Sequence, residues 1–325
     1  RKELALQYPE IELLSERFTQ LIDITNSPAY PFSKVDSGKE YFDYPKFLIS
    51  KKYSYNNRYF SVNFGSEILL DLFHWPLHHL QIDDDLNADT VFGIFKKEDL
   101  LYLTIDNKLV FNCPTNQYHY MQGHFSMEIT NFIHEKTISN WLATFHASTV
   151  GRENSAIMIV GGSGNGKSTL TSLLTANGFD LLADDFTPFY ADDMNLYRFP
   201  NGISIKPGAF GILEEYIENF HELPSFFNNN KQISVKYYSP KTNSQTLPNK
   251  YKCDKIILVK FSPGENQYFS KVPAEKVLAT LIPDSWISPH PMHSKKFLSW
   301  LKEIDFYDLN YSENEFAISN ILKIS

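Results

Sequence analysis

The segment Gly161–Asp185, GGSGNGKSTLTSLLTANGFDLLADD, constrains the fold of this chain most strongly. Its opening residues satisfy the spacing G-x-x-x-x-G-K-S. They stand between AIMIV (156–160), a buried-strand run, and a helical stretch from Ser168 to Asn177 with Leu170, Leu173 and Leu174 on one side. In that context glycine lets the backbone curl until its N–H groups face a pyrophosphate at the positive end of the helix. The expected phosphate-binding residues are Gly161, Gly162, Ser163, Gly164, Asn165, Gly166, Lys167, Ser168 and Thr169. Lys167 is expected to reach the β and γ phosphates and Ser168 to ligate magnesium, so ATP and Mg²⁺ are the expected cofactors.

Gly178 is placed to stop the helix, and Phe179 to Ala183 reads as a second buried strand. Asp184 follows Lys167 by 17 positions, room for one helix, one stop and one strand. The pair Asp184-Asp185 is therefore expected at the carboxyl end of a strand that neighbours the first and faces the phosphates. One carboxylate there holds magnesium while the other accepts a proton from an attacking hydroxyl. Successive strand residues point to opposite faces, so both reach the site only if the strand ends at this point. The competing reading is a strand-terminating turn or cap. So short a spacing favours a compact kinase-like site over a switch ATPase or translocase.

The formal net charge of −8 and a pI near 5.7 speak against nucleic acid or an anionic membrane as partner. The two cysteines, Cys113 and Cys253, have no metal-type spacing, and a reducing cytoplasmic setting is expected. No apolar run approaches the roughly 20 residues that span a bilayer. The opening residues, RKELALQYPEIELLSERF, alternate charge and apolar character like an amphipathic helix and unlike a signal peptide.

At 325 residues the chain has room for two domains, and the expected class is α/β (α+β). Residues 1–125 read as a β-rich, mixed α/β region. YFSVNF, TVFGIF, LLYLTI and KLVFNC are strand-like, Asp106 to Lys108 turns between two of them, and antiparallel meander pairing is expected. Residues 126–145 are expected to form the helix that leads into a second domain, 126–325. Further on come a strand at 255–261, helices at 273–282 and 294–304, and a terminal strand and helix. Residues 228–250 suggest a long loop or hairpin tip with a short strand from Ile233 to Tyr238. Tyr30, Phe32, Tyr41, Phe42, Tyr44, Tyr53, Tyr55, Tyr59 and Phe60 form either a β-rich core or a peptide groove. Neither His74, His78 and His79 nor the HPMH run at 290–293 gives a readable metal triad.

Several stretches together resemble one family. FHASTV (145–150), GGSGNGKSTL and LLADD, followed by PNGISIKPGAF (200–210), DKIILVKFSPG (254–264), PAEKVLATLIPDSW (273–286) and FYDLNYSENEFAISNI (306–321), are similar to the HPr kinase/phosphorylase superfamily. Its nucleotide-binding core is shared with phosphoenolpyruvate carboxykinase. The similarity is to the branch of HPr kinase-related proteins that includes kinases tailoring lasso peptides, and it spans roughly residues 127–325.

The resemblance implies a P-loop, HPr kinase-like C-terminal domain behind a β-rich N-terminal domain; the aromatic residues of that front domain, read as a groove, are a candidate substrate-recognition site, since a kinase needs more than a nucleotide pocket to select its acceptor. It implies an ATP-dependent kinase that moves the γ-phosphate to a hydroxyl, a Ser of a peptide or small protein. Carried over by position, Asp184 becomes the base and Asp185, with Ser168, the magnesium ligand, although the two aspartates can exchange roles. His146, at the head of the strand before the loop, matches a family histidine near the site; read from the residues alone it is a structural histidine. Lys206 falls where the branch places a basic residue toward phosphate or substrate, with an ordinary exposed lysine as the alternative.

The arginine-containing glycine-rich signature of the bifunctional enzymes is missing after the Asp pair, which argues against phosphorylase activity and HPr itself as acceptor. HPr-type relatives form hexamers, so a homo-oligomer is compatible with the resemblance. Two alternatives stand beside this reading: a small-metabolite hydroxyl kinase, which calls for a deep closed pocket where a peptide calls for a groove running onto the front domain, and a nucleotide-responsive binding protein without transfer.

Overall fold

The computed structural model describes residues 47–84, 86–153, 155–228, 233–240 and 247–325. The amphipathic N-terminal stretch, Tyr30 to Tyr44 of the aromatic set, and parts of the 228–250 region lie outside the described residues.

Two Asx-rich turns organise the front sheet. Asn56-Asn57 and Asp106-Asn107 hold positive φ, the backbone that two-residue hairpins require, and short polar side chains tolerate it. The first closes β1 (Ile49–Tyr55) onto β2 (Arg58–Phe64). Helix α1 (Glu67–Phe73) follows, capped by Ser66, whose Oγ accepts the Leu69 N–H. After β3 (Gln81–Ile82) come β4 (Thr90–Lys97), β5 (Leu100–Ile105) and β6 (Lys108–Pro114), the last two joined by the second turn. The sheet order is β3-β1-β2-β4-β5-β6. The expected meander holds for β4-β5-β6, but β2 and β4 run parallel, because α1 and a 3-10 turn at Trp75–Leu80 form a crossover between them. Tyr53, Tyr55 and Phe60 are buried core of this layer.

Helix α2 (Tyr118–His134) packs Met121, Phe125, Ile129 and Ile133 against that sheet. It differs from the helix expected at 126–145: it starts earlier and stops at Glu135, which turns left-handed at φ 54°. Trp141–Phe145 is a strand, β7, antiparallel to a later one. A five-residue apolar run carries no decisive period, and pairing with a neighbour assigns it to the sheet. Position 125/126 lies inside α2.

The second layer continues with β8 (Ser148–Arg152), β9 (Ser155–Val160), α3 (Lys167–Ala176), β10 (Asp180–Ala183), β11 (Thr187–Tyr190) and β12 (Leu196–Tyr197). A small sheet, β13 (Ile203–Ile205), β14 (Ser225–Asn228) and β15 (Ile233–Tyr238), flanks it with the short helix α4 (Phe210–Glu214). Then come β16 (Lys250–Phe261), β17 (Tyr268–Lys271), α5 (Ala274–Leu281), β18 (Trp286–Ile287), α6 (Pro291–Leu301), β19 (Asp305–Tyr311) and α7 (Asn314–Leu322). The long strand β16 pairs parallel with both β9 and β19, while its first residues pair antiparallel with β12. One core, with Ile157, Ile159, Leu170, Leu174 and Leu309, seals α3 and α7 to one face; another, with Met158, Val160, Leu278, Leu281 and Trp300, seals α5 and α6 to the other. Strands covered on both faces read as continuous apolar runs, which is why AIMIV and KIILVKF were legible. The architecture is mixed α+β. No helix among the described residues is long and apolar enough to cross a membrane.

The expected adjacency of β10 and β9 is corrected. β8 lies between them, antiparallel to both, so β9 and β10 remain parallel in direction and end at the same edge. At that edge the two layers meet. Ala183 and Phe199 belong to the front core, His134 Nε2 donates to the Arg198 carbonyl at 2.7 Å, and the Gly202 N–H donates to the Pro76 carbonyl at 2.7 Å.

Candidate functional site

The glycine loop is shaped by contacts that only glycine permits. A Cβ on Gly161 would lie 2.7 Å from the Val259 carbonyl of β16, so the loop leaves β9 pressed against its neighbour. Gly166, at φ 91°, is the residue before α3 and offers no side-chain cap, which leaves the N–H groups of the first turn directed to whatever the loop encloses. Lys167 is buried, and its Nζ donates to the Gly161 carbonyl at 2.8 Å. This loop fits a polyphosphate: uncapped backbone donors, a helix N-terminus and one ammonium converge on it.

The Asp pair is split by the end of β10. Asp184 is 1% exposed. It accepts from Ser148 Oγ at 2.6 Å, from the Ser204 N–H at 3.0 Å and from Ser168 Oγ at 3.3 Å. Its backbone is gripped by Asn201, whose Nδ2 donates to the Asp184 carbonyl at 2.8 Å and whose Oδ1 accepts the Asp184 N–H at 3.3 Å. Burial, then the neighbouring Asp185 charge, pushes the Asp184 carboxyl up to about 7 against the pull of those donors. A buried carboxylate so raised, bonded to the loop serine, is short of one positive charge. Ser168 and Asp184 thus form a donor set that fits magnesium, a hard cation taking oxygen ligands.

Asp185 takes φ 58°, a left-handed turn that Asp tolerates, and this swings its carboxylate to the same edge as its neighbour. It is 47% exposed, with Oδ1 3.9 Å from His146 Nε2 and 4.0 Å from Lys167 Nζ. His146 sits in the turn between β7 and β8, not at the head of β9 as expected, because the run before the loop folds into two strands. Its N–H donates to Ser285 Oγ at 3.2 Å.

Beyond the Asp pair opens a cleft of about 850 Å³. One wall comes from the front layer, with Leu72, Phe73 and Pro76 near α1 and His119, Tyr120 and the run from Gln122 to Met127 on α2; the other carries His146, Asp184, Asp185, Phe186 and the 283–286 turn. The loop residues 161–169 do not line it, so Asp185 and His146 stand between the loop and the cleft. Lys206 is exposed two residues beyond Ser204 and is outside the cleft lining.

Sequence reasoning missed Ser148, Asn201 and Ser204. Each lies within a stretch singled out for other residues, FHASTV or PNGISIKPGAF, but a serine hydroxyl and a backbone N–H carry no motif of their own. Among the histidines set aside, His74 Nδ1 bonds Tyr53 Oη at 2.8 Å and His78 Nδ1 bonds the Trp75 carbonyl at 2.7 Å.

No family model and no curated protein matches the chain. Among solved structures, an HPr(Ser) kinase/phosphatase from Coxiella burnetii aligns at 11% sequence identity with a TM-score of 0.27, covering 56% of this chain and 96% of that one. At that level of superposition the reading of the site rests on its own geometry.

Proposed function

We propose that the protein is an ATP-dependent phosphotransferase acting on a hydroxyl, a Ser of a peptide or small protein, with residues 126–325 as the kinase domain and the region before them selecting the acceptor. The observation that carries this is the order of groups along one edge: phosphate loop, buried Ser168–Asp184 pair, half-exposed Asp185, open cleft. A cleft walled partly by α1 and α2 supports a peptide over a small metabolite.

In this reading the loop and Lys167 hold the phosphates, and Ser168 with Asp184 holds magnesium. When bound, ATP supplies the phosphoryl group, which leaves ADP for the acceptor oxygen, and magnesium draws charge from the phosphate oxygens. Asp185 takes the hydroxyl proton of an acceptor lying in the cleft. This is the exchanged assignment of the two aspartates: Asp184 is enclosed and already bonded by three donors, whereas Asp185 faces the cleft. His146 and Lys167, 3.9 and 4.0 Å from Asp185 Oδ1, orient its carboxylate. Catalysis is positioning and electrostatics, with no covalent enzyme intermediate.

The test is transfer of label from γ-labelled ATP to Ser peptides, read by mass spectrometry, in wild type, Lys167→Ala and Asp185→Asn. Lys167→Ala should lose nucleotide binding. Asp185→Asn should bind Mg·ATP nearly as wild type while turnover falls by about 10²-fold or more. Label passing only to water, or wild-type transfer by Asp185→Asn, would sink the reading.

A further inference from the structure

The peptide that joins the two aspartates is held by one side chain. β10 ends at Ala183, and its backbone ladder to β8 ends there too. On its other side Phe199 still meets the strand, its N–H donating to the Leu182 carbonyl at 3.0 Å. Two residues on, the Asn201 amide takes the place of a backbone partner: Nδ2 donates to the Asp184 carbonyl at 2.8 Å and Oδ1 accepts the Asp184 N–H at 3.3 Å. One planar amide offers a donor and an acceptor side by side, which a carboxylate cannot do and a hydroxyl does only from a single atom. Asn201 is seated in turn by the front layer, since the N–H of its neighbour Gly202 donates to the Pro76 carbonyl at 2.7 Å.

The Asp184 carbonyl and the Asp185 N–H share one rigid peptide plane, and rotating that plane changes ψ of Asp184 and φ of Asp185 together. Asp185 stands at φ 58°, a sparsely populated region that persists only where the surroundings hold it. Its own side chain does not hold it: His146 Nε2 and Lys167 Nζ lie 3.9 and 4.0 Å from Oδ1, beyond hydrogen-bond length, and the side chain is 47% exposed. Resting on the kinase reading above, we propose that Asn201 is a positioning residue, which pins the 184–185 peptide so that Asp184 stays turned to Ser168 and Asp185 stays presented to the cleft. With the clasp gone, residue 185 relaxes to negative φ and its carboxylate leaves the edge of the loop. Through Pro76 and Gly202 the front layer thereby shapes the acid pair as well as walling the cleft.

The experiment uses the full chain and has one arm that needs no activity. Asp185→Gly and Asp185→Ala are each melted with Asn201 present and with Asn201→Ala. Glycine is the more stable of the two where φ is positive and alanine where it is negative, and the charge of Asp185 is absent from both. The Asp185→Gly protein should melt above the Asp185→Ala protein while Asn201 is present, and that order should vanish or reverse without it. Should Asn201→Ala fail to fold, Asn201→Asp repeats the comparison, since it keeps the shape and the acceptor and removes only the donor to the Asp184 carbonyl. In the second arm, transfer from γ-labelled ATP to Ser peptides by Asn201→Ala should fall in kcat by about tenfold or more, with binding of metal-free nucleotide close to wild type. A Gly-over-Ala order unmoved by loss of Asn201, no such order with Asn201 present, or wild-type kcat in the Asn201 variant overturns the assignment. The expected melting order without transfer by any protein, wild type included, sinks the kinase reading and leaves the clasp standing.

Discussion

Ser148 and Asp184 share a 2.6 Å hydrogen bond between two buried side chains, and through it β8, the strand interposed between β9 and β10, contributes to the site. In the proposed reading Asp184 holds magnesium, and the Ser148 hydroxyl that donates to it fixes the orientation of that carboxylate. Such supporting bonds are commonly worth about 10–100-fold in metal affinity or activity. Ser148→Ala should therefore raise the magnesium concentration needed for half-maximal turnover by about tenfold or more. Binding of metal-free nucleotide should stay close to wild type, since the loop 161–169 is untouched. A magnesium titration of turnover, beside a nucleotide titration in chelator, checks it; parallel losses in both would assign Ser148 to general stability.

Asp184 makes a pH prediction of definite sign. Its pKa in the fold is raised from an ordinary 3.8 to about 7, so the folded state holds the proton more tightly than the unfolded chain. The contribution to stability is full below about pH 4 and is lost as pH rises through about 7. At pH 8 without magnesium the wild type carries a buried charge that Asp184→Asn does not. The variant should be more stable there by on the order of 1–3 kcal/mol, and close to neutral at pH 5. Magnesium with ATP should raise the melting temperature of wild type far more than that of the variant. Thermal melts at both pH values, with and without ligand, provide the measurement.

Four histidines pull the other way. Burial pushes His74, His124 and His134 down to about 4 and His79 to about 3, from 6.5. Each is held neutral in the fold, so each contributes stability that is complete above pH 6.5 and is lost as pH falls through about 4. Four such groups outweigh the single carboxylate Asp184 in that window. The melting temperature should fall steadily from pH 7 to pH 4.5, and hydrogen exchange should show the front layer opening first, because His74, His79, His124 and His134 lie on α2 or beside β1 to β3. A melting temperature flat over that range would contradict the buried neutral state of these side chains.

The cassette from Gly161 to Asp185 was legible because each of its steps is local. A glycine loop needs no partner to announce itself, the apolar face of α3 repeats at helical spacing, and strands buried on both sides read as unbroken apolar runs. The hairpin turns at Asn56-Asn57 and Asp106-Asn107 are likewise a property of short polar residues that accept positive φ. Where two elements compete for the same apolar run, local pattern gave out. Trp141–Phe145 became β7 because β11 offered a ladder, and Glu135 ended α2 where no glycine marks a stop.

The sequence by itself determined that this chain holds a glycine loop of phosphate-binding spacing with an acidic pair a fixed distance behind it, since both depend on spacing along one strand-helix-strand unit. Only the tertiary structure decided which acid is enclosed and which is presented. Insertion of β8, the grip of Asn201 and the left-handed turn at Asp185 come from residues that are distant in sequence or conformations with no sequence signature, and they separate the environments of two adjacent, chemically identical side chains. Burial distinguishes Asp184 from Asp185, and burial is set by what folds over a residue from elsewhere in the chain.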